Sequence, residues 1–595
     1  MAKNNYENYT REQLIEELKK LNKRKKYGLV WEEEKTKEKF EADAEGKLPV
    51  LVEDKKKEIK TDPDKPTNIL IEGDNYHALS VLNYTHAKSI DVIYIDPPYN
   101  TGAKNWKYNN AFVDNEDAYR HSKFINFLNN RFVLAKKLLS DKGIIICAID
   151  DYEIHNVRHL MDFIWGEENR LGTIVVVHNP RGRNDDKYFA TMHEYMLVYA
   201  KNKDNAKIKH FELNEDEIGR YNKQDEISSY NETSFVRTGN NSKRSERPNL
   251  FYPIYYCEKL NELSLEKKSG FIQLLPINEA EEEKTWRWGK ETFIEKQKTE
   301  LLVREIKGKF RIFKKRRITN IAGTKPKTIW HDPKYDASSN GIMLLQNILG
   351  REKNFPYPKS LYAVYDILHL TTDKDSIVLD YFAGSGTTGH AVQKLNQKDG
   401  GNRKFVLCTN DESNICSDIT FPRIKKVMEG YKNSKGIKTE GLGGNLKYYK
   451  TNFVGSEPTH RNKKLLTDKS VEMLCVKENT FDEVLKSPLE LVPLAGRGQR
   501  GVSYCIFSNN EKFTAILFDE MKMDEFKNQI KKLKKPISVY VFSLEGDDFK
   551  EEFVRMDSYG ENLSNDITLC SIPEAILKVY RRIYGAGHLP AGRQK

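Results

Sequence analysis

Short apolar runs rich in β-branched residues alternate with helical patterns along much of this chain. A helical pattern over roughly 117–139 carries Phe124, Leu128 and Phe132 on one side. The runs of the first half are NILI (68–71), DVIYI (91–95), GIIICAI (143–149), TIVVV (173–177) and YMLVYA (195–200). Because such runs lack the alternation of a half-exposed strand, they predict strands buried on both faces, joined by helices. The expected fold class is α/β, with a doubly wound, mostly parallel sheet.

The α/β rhythm is interrupted once. Residues 202–330 are polar, rich in Asn, Lys and Glu, and dotted with aromatic residues. The rhythm then resumes with a helix near 357–370, the strand SIVLD (376–380), a helix from 386 and the strand KFVLC (404–408). One α/β domain split around an insertion explains this order.

Five parts make up the predicted organisation. Within the first, residues 8–26 predict an amphipathic helix, since Thr10 and Gln13 have capping-box spacing. The five are an N-terminal helical and charged arm (1–66), the first half of the α/β domain (67–201), the inserted region (202–330), the second half (331–450) and a C-terminal α+β module (451–595).

Composition excludes some classes and leaves others open. The chain of 595 residues has a net charge of +11, which permits a polyanionic partner without requiring one. No apolar run approaches the roughly 18 residues of a membrane span, and no apolar signal core follows Met1, so we expect a cytoplasmic protein without membrane contact. The seven cysteines form no CxxC pair, and we expect no metal site.

The tetrapeptide Asp96-Pro97-Pro98-Tyr99 directly follows the strand DVIYI. Ligands of open α/β sheets bind at the carboxyl ends of strands, where this tetrapeptide would lie. Two prolines remove two N–H donors, which leaves carbonyl oxygens and one carboxylate as acceptors. Such a set suits an exocyclic amine with two hydrogens, and Tyr99 offers a face on which a flipped base would stack. The alternative is a Pro-Pro turn with an incidental Asp and Tyr.

A glycine-rich loop, DYFAGSGTTG at 380–389, lies between the strand SIVLD and a helix. Gly384, Gly386 and Gly389 form GxGxxG, which lets a ligand approach the backbone at a helix N-terminus. The next strand leads to an acidic residue, Glu412, suited to ribose hydroxyls. A dinucleotide site and a loop without a ligand both remain as alternatives at this point.

DPPYNTG at 96–102, followed later by DYFAGSGTTG at 380–389, resembles the β-class amino-methyltransferases of DNA. Further stretches resemble the modification subunits of type III restriction systems: ILIEGDNYHAL (69–79), YRHSKFINFLNNRF (119–132), KPKTIWHDPKYDASSNG (325–341), FPYPKS (355–360) and FPRIKKV (421–427). The resemblance covers roughly residues 20–450. It implies a Rossmann-like methyltransferase sheet whose catalytic half precedes its cofactor half, with the target-recognition region at 202–330 between them.

The same resemblance implies roles for the first motif. Asp96, Pro97 and Tyr99 would hold and activate the target amine, and Pro98 would shape the turn. Relatives that act on cytosine N4 more often begin this motif with Ser. Asp96 together with Tyr99 therefore favours adenine N6 as the target.

The implied cofactor is S-adenosylmethionine. Phe382, Gly384 and Gly386 would line its cleft, and Asp380 would orient the loop. The remaining implied contacts are Glu412 to the ribose, Asp74 to the cofactor's adenine, and Phe355, Lys359 and Ser360 beside the methionine end. The family often has Lys-Pro where this chain has Lys359-Ser360. Alternatives stay open: Asp74 as part of a turn, Glu412 as a surface acid, and Lys359 with Ser360 as helix-start residues.

Two basic segments are candidate DNA contacts. Arg181 and Arg183 follow the strand TIVVV, and Lys314, Lys315, Arg316 and Arg317 lie in a basic run with interleaved aromatics. Arginine and lysine at such places bind phosphates or guanine edges. Solvated loops explain both segments equally well.

The implied partners are double-stranded DNA with a flipped adenine, a second copy of the chain, and a helicase-nuclease restriction subunit. The chain has no GxxxxGK[ST] loop and no PD…(D/E)xK pattern, so any DNA cleavage would belong to a partner. Three alternatives remain: an orphan methyltransferase, an RNA methyltransferase, and a catalytically silent DNA-binding subunit.

Overall fold

The computed structural model describes most of the chain and divides it into two compact units. One unit is Met1–Ile208 together with Lys327–Lys595, and the other is Lys209–Pro326. Apart from Thr10 and Arg11, the helix predicted over 8–26 lies outside the described residues. The described residues are 10–11, 46–101, 103–108, 111–114, 119–182, 187–352, 355–433, 435–487, 502–543, 549, 553 and 567–584.

Strands account for much of both units. Those before the second unit are β1 Lys47–Glu53, β2 Ile59–Lys60, β3 Thr67–Glu72, β4 Ile90–Ile95, β5 Ala103–Tyr108, β6 Ala111–Asp114, β7 Leu139–Ile149, β8 Arg170–Val177 and β9 His193–Ala200. Those of the second unit are β10 Lys223–Gln224, β11 Ser229–Ser234, β12 Ile254–Cys257, β13 Glu262–Ser264, β14 Ile272–Leu274, β15 Leu301–Ile306 and β16 Lys309–Arg317. Those after it are β17 Ile329–Trp330, β18 Ile377–Asp380, β19 Lys404–Thr409, β20 Gly430–Lys432, β21 Lys438–Glu440, β22 Asn445–Gly455, β23 Asp482–Lys486, β24 Tyr504–Ser508, β25 Phe513–Leu517, β26 Ile537–Phe542 and β27 Ile567–Ile572.

The α-helices connect and cover these strands. They are α1 Asn75–Thr85, α2 Arg120–Leu138, α3 Ile154–Trp165, α4 Glu215–Gly219, α5 Lys290–Glu300, α6 Leu344–Leu349, α7 Leu361–Thr371, α8 Thr387–Asp399, α9 Phe421–Glu429, α10 His460–Glu478, α11 Met523–Ile530 and α12 Glu574–Tyr584. No helix in the described part of the chain is both long enough and apolar enough to cross a membrane.

The main sheet has the order β1-β22-β3-β19-β18-β4-β7-β9-β8-β17, and β2 also pairs with β22. Every neighbouring pair from β22 to β7 is parallel, which confirms the predicted α/β class with a mostly parallel sheet. β9 instead runs antiparallel to both β7 and β8. The described residues between β8 and β9 form no crossover helix, and such a short connection reverses the strand direction.

A crevice forms where the sheet changes its direction of winding. The chain leaves β4 through α2 and enters β7, on one side of β4. It leaves β18 through α8 and enters β19, on the opposite side of β18. β4 and β18 are themselves neighbours. The two connections therefore diverge at the carboxyl ends of these strands, which is where open α/β sheets bind ligands.

The main sheet extends beyond the limits predicted for the α/β domain, residues 67 and 450. β1 falls within the arm predicted over 1–66, and β22 crosses the boundary predicted at 450. β22 has the sequence NLKYYKTNFVG. Because it contains lysines, the sequence does not indicate that the first five residues of the strand are buried. The Lys447 ammonium is buried and pairs with Glu53 Oε1 at 2.5 Å and Glu58 Oε1 at 2.7 Å. These pairs compensate the charge that burial would otherwise disfavour.

The C-terminal strands form a separate five-stranded sheet, β23-β24-β25-β26-β27, within the first unit. β25, β26 and β27 are parallel, and β23 and β24 are antiparallel neighbours on one side. Helix α12 packs back towards the main sheet, since the Tyr580 hydroxyl donates to the Pro49 carbonyl.

The second unit contains two small sheets, β10-β11-β16-β15 and β13-β12-β14. Its core includes Phe235 stacked on Trp286 with a centroid distance of 5.2 Å, together with Tyr252 and Phe293. This unit falls within the segment predicted as an insertion, 202–330.

Gly389 provides a test of how closely α8 packs on the sheet. A Cβ added there would lie 2.7 Å from Ile424 Cδ1 and 3.0 Å from Leu407 Cδ1. Gly389→Val should therefore lower the free energy of unfolding by about 1–3 kcal/mol, as overpacked cores do. Chemical denaturation followed by circular dichroism measures the change.

Gly172→Val is the matched control, because a Cβ at Gly172 meets nothing within 4 Å and strands favour valine. Equal denaturation midpoints for the two variants would contradict the close packing of α8.

Candidate active site

The Asp96-Pro97-Pro98-Tyr99 segment leaves the end of β4 and enters the crevice beside β18. Its far end is held by Asn100, which is buried and has φ +53°. The Asn100 amide donates to the Glu153 carboxylate, which also accepts from Asn156 Nδ2 at 2.7 Å and contacts His121 Nδ1 at 2.6 Å. Glu153 is fully buried. The segment is thus fixed at both ends, by the strand and by a buried carboxylate.

Four side chains from three separate segments meet beside this loop. Lys359 Nζ lies 3.0 Å from Asp96 Oδ1 and 2.8 Å from Glu194 Oε2. The same ammonium donates to the Tyr99 hydroxyl, and that hydroxyl donates to Glu194 Oε2 at 3.1 Å. Glu194 is the second residue of β9, whose first residues lie at the carboxyl ends of β4 and β7 because β9 is antiparallel. We call Asp96, Tyr99, Glu194 and Lys359 the carboxylate–lysine network.

The carboxylate–lysine network contains two carboxylates and one ammonium in a largely closed environment. The Glu194 side chain is 4% exposed and that of Lys359 is 13% exposed, whereas that of Asp96 is 25% exposed. Burial and the negative charge of Glu194 raise the pKa of Asp96, although Lys359 opposes them. Burial alone would raise the pKa of Glu194 as well, but Lys359 and His178 lower it. Glu194 is therefore the more firmly ionised carboxylate, and Asp96 is the one open to a ligand.

The glycine-rich loop follows β18 on the other side of the crevice. The Asp380 carboxylate accepts from the Phe382 N–H at 3.0 Å and from the Thr388 hydroxyl at 2.5 Å. Gly384 and Gly386 have φ values of +47° and +78°, in the left-handed region that favours glycine. These contacts hold the turn so that its backbone faces the crevice.

Side chains from α9 and the turn before it support the glycine-rich loop from behind. The Thr420 hydroxyl donates to the Gly384 carbonyl at 2.5 Å. The buried Arg423 guanidinium donates to Ser385 Oγ at 3.0 Å and to Thr387 Oγ1 at 2.8 Å. Burial lowers the pKa of Arg423 to about 9. The guanidinium thus supplies fixed donors behind the loop.

A third group of side chains closes the crevice at the end of β3. The Asp74 side chain accepts from the Tyr76 N–H at 2.8 Å and so caps α1. The fully buried Arg131 lies 3.5 Å from Asp74 Oδ2, donates to Asn75 Oδ1 and stacks on the Phe127 ring. The Asn75 amide in turn donates to the Tyr381 carbonyl at 3.0 Å. Asp74 is therefore tied to the glycine-rich loop through Asn75 and Arg131.

The remaining residues predicted to contact the cofactor occupy different surroundings. Phe382 packs against Phe127 with a centroid distance of 5.8 Å, and Phe355 approaches Gly384 closely, since a Cβ there would lie 3.3 Å from Phe355 Cζ. Glu412 is exposed beyond the end of β19. Ser360 is buried before α7.

Lys359 and Ser360, which are predicted to lie beside the methionine end of the cofactor, have protein partners in the structure. The Lys359 ammonium reaches the Asp96 loop, not the glycine-rich loop. The Ser360 hydroxyl donates to the Lys334 carbonyl at 2.9 Å, inside the fold. Both side chains are thus committed to protein partners at the start of α7.

Sequence reasoning missed Glu194 and Arg131. Glu194 is the second residue of β9, near the end of the strand, a place where a charged residue is usually solvated. Arg131 carried a usable signal, because it lies four residues after Phe127 and three after Leu128, on the apolar side of α2. A charged residue on a buried helix face needs partners, and such residues mark functional or structural sites.

Some of the residues predicted to contact DNA are buried in ion pairs, and others are exposed. Arg317 is buried and pairs with Asp225 at 2.7 Å and Glu300 at 2.6 Å, and Lys315 also pairs with Asp225 at 2.7 Å. Arg317 and Lys315 therefore form ion pairs within the second unit and not the phosphate contacts that were predicted for them. Lys314 lies 5.0 Å from the Trp288 ring centroid, and Arg316 and Arg181 are exposed. Arg183 lies outside the described residues.

Comparison with known proteins identifies the family that this site belongs to. Residues 90–421, more than half of the chain, match the N6/N4 methyltransferase family described as DNA methylase. The type II methyltransferase M.KpnI of Klebsiella pneumoniae is 34% identical over 393 residues, which cover 63% of this chain and 91% of that protein. The EcoPI Mod subunit of a type III restriction-modification enzyme, from Escherichia phage P1, is 33% identical over 393 residues. That match covers 61% of this chain and 60% of the Mod subunit.

The solved structure of an M1.HpyAVI–SAM complex is also similar to this chain. It is 16% identical, and the match covers 60% of this chain and 97% of that one with a TM-score of 0.27.

Asp380 allows a test of the electrostatics of the glycine-rich loop. Burial raises the pKa of Asp380 to about 7, although the Thr388 hydroxyl and the Phe382 N–H favour the carboxylate. Since 3.8 is its ordinary pKa, the unfolded chain loses this proton first as the pH rises. The contribution of Asp380 to stability therefore falls between about pH 4 and pH 7.

Asp380→Asn removes this titration while keeping an acceptor for Phe382 and a polar partner for Thr388. The stability of the variant relative to the wild type should rise between about pH 4 and pH 7. Denaturation midpoints at a series of pH values measure this difference. A constant difference across that range would show that the Asp380 carboxyl is not perturbed.

Proposed function

This chain belongs to the N6/N4 DNA methylase family, and we propose that it transfers a methyl group from S-adenosylmethionine to N6 of adenine in DNA. One observation carries the proposal. The Asp96–Tyr99 loop and the glycine-rich loop follow β4 and β18, which are parallel neighbours at the point where the winding of the sheet reverses. A target base on the first loop would thus face a methyl donor on the second.

The acceptor set of the first loop determines what it can activate. The Asp96 carboxylate and the Pro97 carbonyl would accept the two hydrogens of an exocyclic amine, and the Tyr99 ring would stack on the base. Holding both hydrogens shifts the amine nitrogen towards a tetrahedral geometry and directs its lone pair at the donor. Because a base inside a duplex cannot reach this crevice, the adenine is flipped out of the helix. Asp96 with Tyr99 supports adenine rather than cytosine as the target.

The residues of the second loop fit S-adenosylmethionine. The left-handed Gly384 and Gly386 leave the backbone open where a side chain would intrude, and Phe382 and Phe355 supply apolar walls. The half-exposed Asp74 carboxylate adds a polar acceptor at the end of β3. We propose that Asp74 binds the adenine of the cofactor and that Glu412 binds its ribose. When bound, the cofactor supplies a sulfonium methyl group, and positioning of the amine provides much of the rate.

The relatives support two settings for this activity. The match to the EcoPI Mod subunit supports a modification subunit that assembles with a restriction subunit. The match to M.KpnI covers 91% of that protein and supports a methyltransferase that acts without such a partner. Methylation by the purified chain alone, compared with the chain plus a restriction subunit, separates the two.

The proposed function is tested by expressing the chain in a host that has no DNA methylation. Sequencing that detects modified bases should find N6-methyladenine in one sequence context. N4-methylcytosine in place of N6-methyladenine would overturn the assignment of the base. The purified chain should also transfer labelled methyl groups to duplex DNA but not to RNA.

Asp96→Ala should abolish methyl transfer, because it removes the carboxylate that accepts the amine hydrogen. A loss of at least about a hundredfold in kcat is expected for a group that acts directly on the reacting atom. Binding of S-adenosylmethionine, measured by calorimetry, should change little.

Asp141→Ala is the control for Asp96→Ala. The Asp141 side chain is 81% exposed and belongs to the start of β7, away from the crevice. If Asp96→Ala retained the activity of the control, Asp96 would have no part in the reaction.

Gly384→Asp should prevent cofactor binding. The added side chain would approach Phe355 and extend a negative charge into the loop that approaches the cofactor. Calorimetry should detect no S-adenosylmethionine binding by a chain that remains folded by circular dichroism.

Gly400→Asp is the matched control, since Gly400 has a similar left-handed φ of +64° but a Cβ there meets nothing within 4 Å. It imposes comparable backbone strain at the other end of α8. Loss of cofactor binding in both variants would show that backbone strain, and not the side chain introduced into the cofactor cleft, causes the loss.

A further inference from the structure

The Lys359 ammonium holds one of the acceptors assigned to the target amine. It lies 3.0 Å from Asp96 Oδ1, the carboxylate assigned to the amine. It also donates to the hydroxyl of Tyr99, whose ring is assigned to the base. A target amine that binds Asp96 Oδ1 would therefore compete with this ammonium.

Glu194 gives the ammonium a second partner that does not face the opening. Its Oε2 atom lies 2.8 Å from Lys359 Nζ, and its side chain is only 4% exposed. The Tyr99 hydroxyl donates to the same oxygen, which fixes the carboxylate and the ring relative to each other. Glu194 is thus the more deeply buried of the two carboxylates, and Asp96 is the more exposed one.

We propose that Glu194 is a positioning residue that retains the Lys359 ammonium when the target amine displaces it from Asp96. This inference rests on the proposed methyl transfer and adds a residue to which no role has been assigned. In the absence of DNA, Lys359 is shared between Asp96 and Glu194. When adenine enters, Lys359 keeps its contact with Glu194, and the Asp96 carboxylate is released to accept the amine hydrogen.

The charges of the network favour this exchange. An ammonium left without a carboxylate in a closed site is strongly disfavoured, so displacement from Asp96 requires another acceptor. With Glu194 present, Lys359 remains paired throughout. The ionised Asp96 then faces the positive charge that develops on the amine as the methyl group arrives.

The same charges explain why one carboxylate alone would not suffice. If Lys359 faced Asp96 only, the base would have to break a complete ion pair. If Lys359 were absent, Asp96 and Glu194 would repel each other, and one of them would take up a proton. Among the described residues, the other titratable groups that act on this network are Tyr94, Cys147, His178 and Asp380, and His178 Nδ1 lies 4.0 Å from Glu194 Oε2.

Glu194→Gln tests the inference, with plasmid DNA that the wild type methylates as the substrate. Kcat should fall at least about tenfold, which corresponds to about 1.4 kcal/mol in the barrier. The KM for DNA and the Kd of S-adenosylmethionine should stay within about twofold of the wild type, because Glu194 is 4% exposed and its described partners, Lys359, Tyr99 and His178, lie outside the glycine-rich loop. Glu194→Asp keeps the negative charge and should recover part of the lost kcat.

Glu478→Gln is the matched control. Glu478 is also a largely buried carboxylate, bound by Lys512, Ser538 and Tyr540, but it belongs to α10 and the C-terminal sheet. Its loss should leave kcat within about twofold of the wild type. Equal kcat in Glu194→Gln and the wild type would overturn the inference, as would a parallel fall in cofactor binding. A wild-type chain that transfers no methyl group would instead overturn the proposed function.

A double variant covers the case in which Glu194→Gln does not fold. Lys359→Met should lower kcat, because the ammonium that separates the two carboxylates is lost and one of them takes up a proton. Because Glu194 acts through Lys359, adding Glu194→Gln to Lys359→Met should lower kcat no further. A double variant at least about tenfold less active than Lys359→Met would overturn the inference.

Discussion

β4 and β18 pair in parallel through Val92 with Val378 and Ile93 with Leu379, although the whole second unit separates them in the chain. This pairing places the Asp96–Tyr99 loop and the glycine-rich loop at adjacent strand ends. Their connections diverge, through α2 towards β7 and through α8 towards β19. The chemistry proposed for the chain depends on this one adjacency, because a methyl donor and an acceptor must meet within a few ångströms.

Buried polar groups then fix the two loops in place. Glu153 holds Asn100 at the end of the first loop, and Asp380, Thr420 and Arg423 hold the second. Each of these groups is costly to bury and is offset by hydrogen bonds to the loop that it supports. Such arrangements limit the movement of the loop backbone. A site that must align a lone pair with a methyl group benefits from that rigidity.

The elements that can be predicted from the sequence are those marked by a local pattern of residue types. Short apolar runs rich in β-branched residues predict β3, β4 and β18 well, because strands buried on both faces tolerate little else. β22 is harder to predict, because the charge of its buried Lys447 is compensated by Glu53 and Glu58, which are distant in sequence. Arg317 was misjudged for a related reason, because its partners Asp225 and Glu300 are distant in sequence. A basic run indicates charge, but only the tertiary fold shows whether that charge faces solvent.

The carboxylate–lysine network shows the same limit at the site itself. Asp96 and Tyr99 belong to a motif that a single stretch of sequence displays, whereas Glu194 and Lys359 come from the start of β9 and the turn before α7. Lys359 belongs to the half of the domain that follows the second unit, yet its three polar partners all belong to the half that precedes it. The ammonium can be paired only when both halves of the sheet have assembled. The acceptor site is therefore built from segments that precede and follow the second unit in the chain, and the pairing of β4 with β18 brings these two halves together.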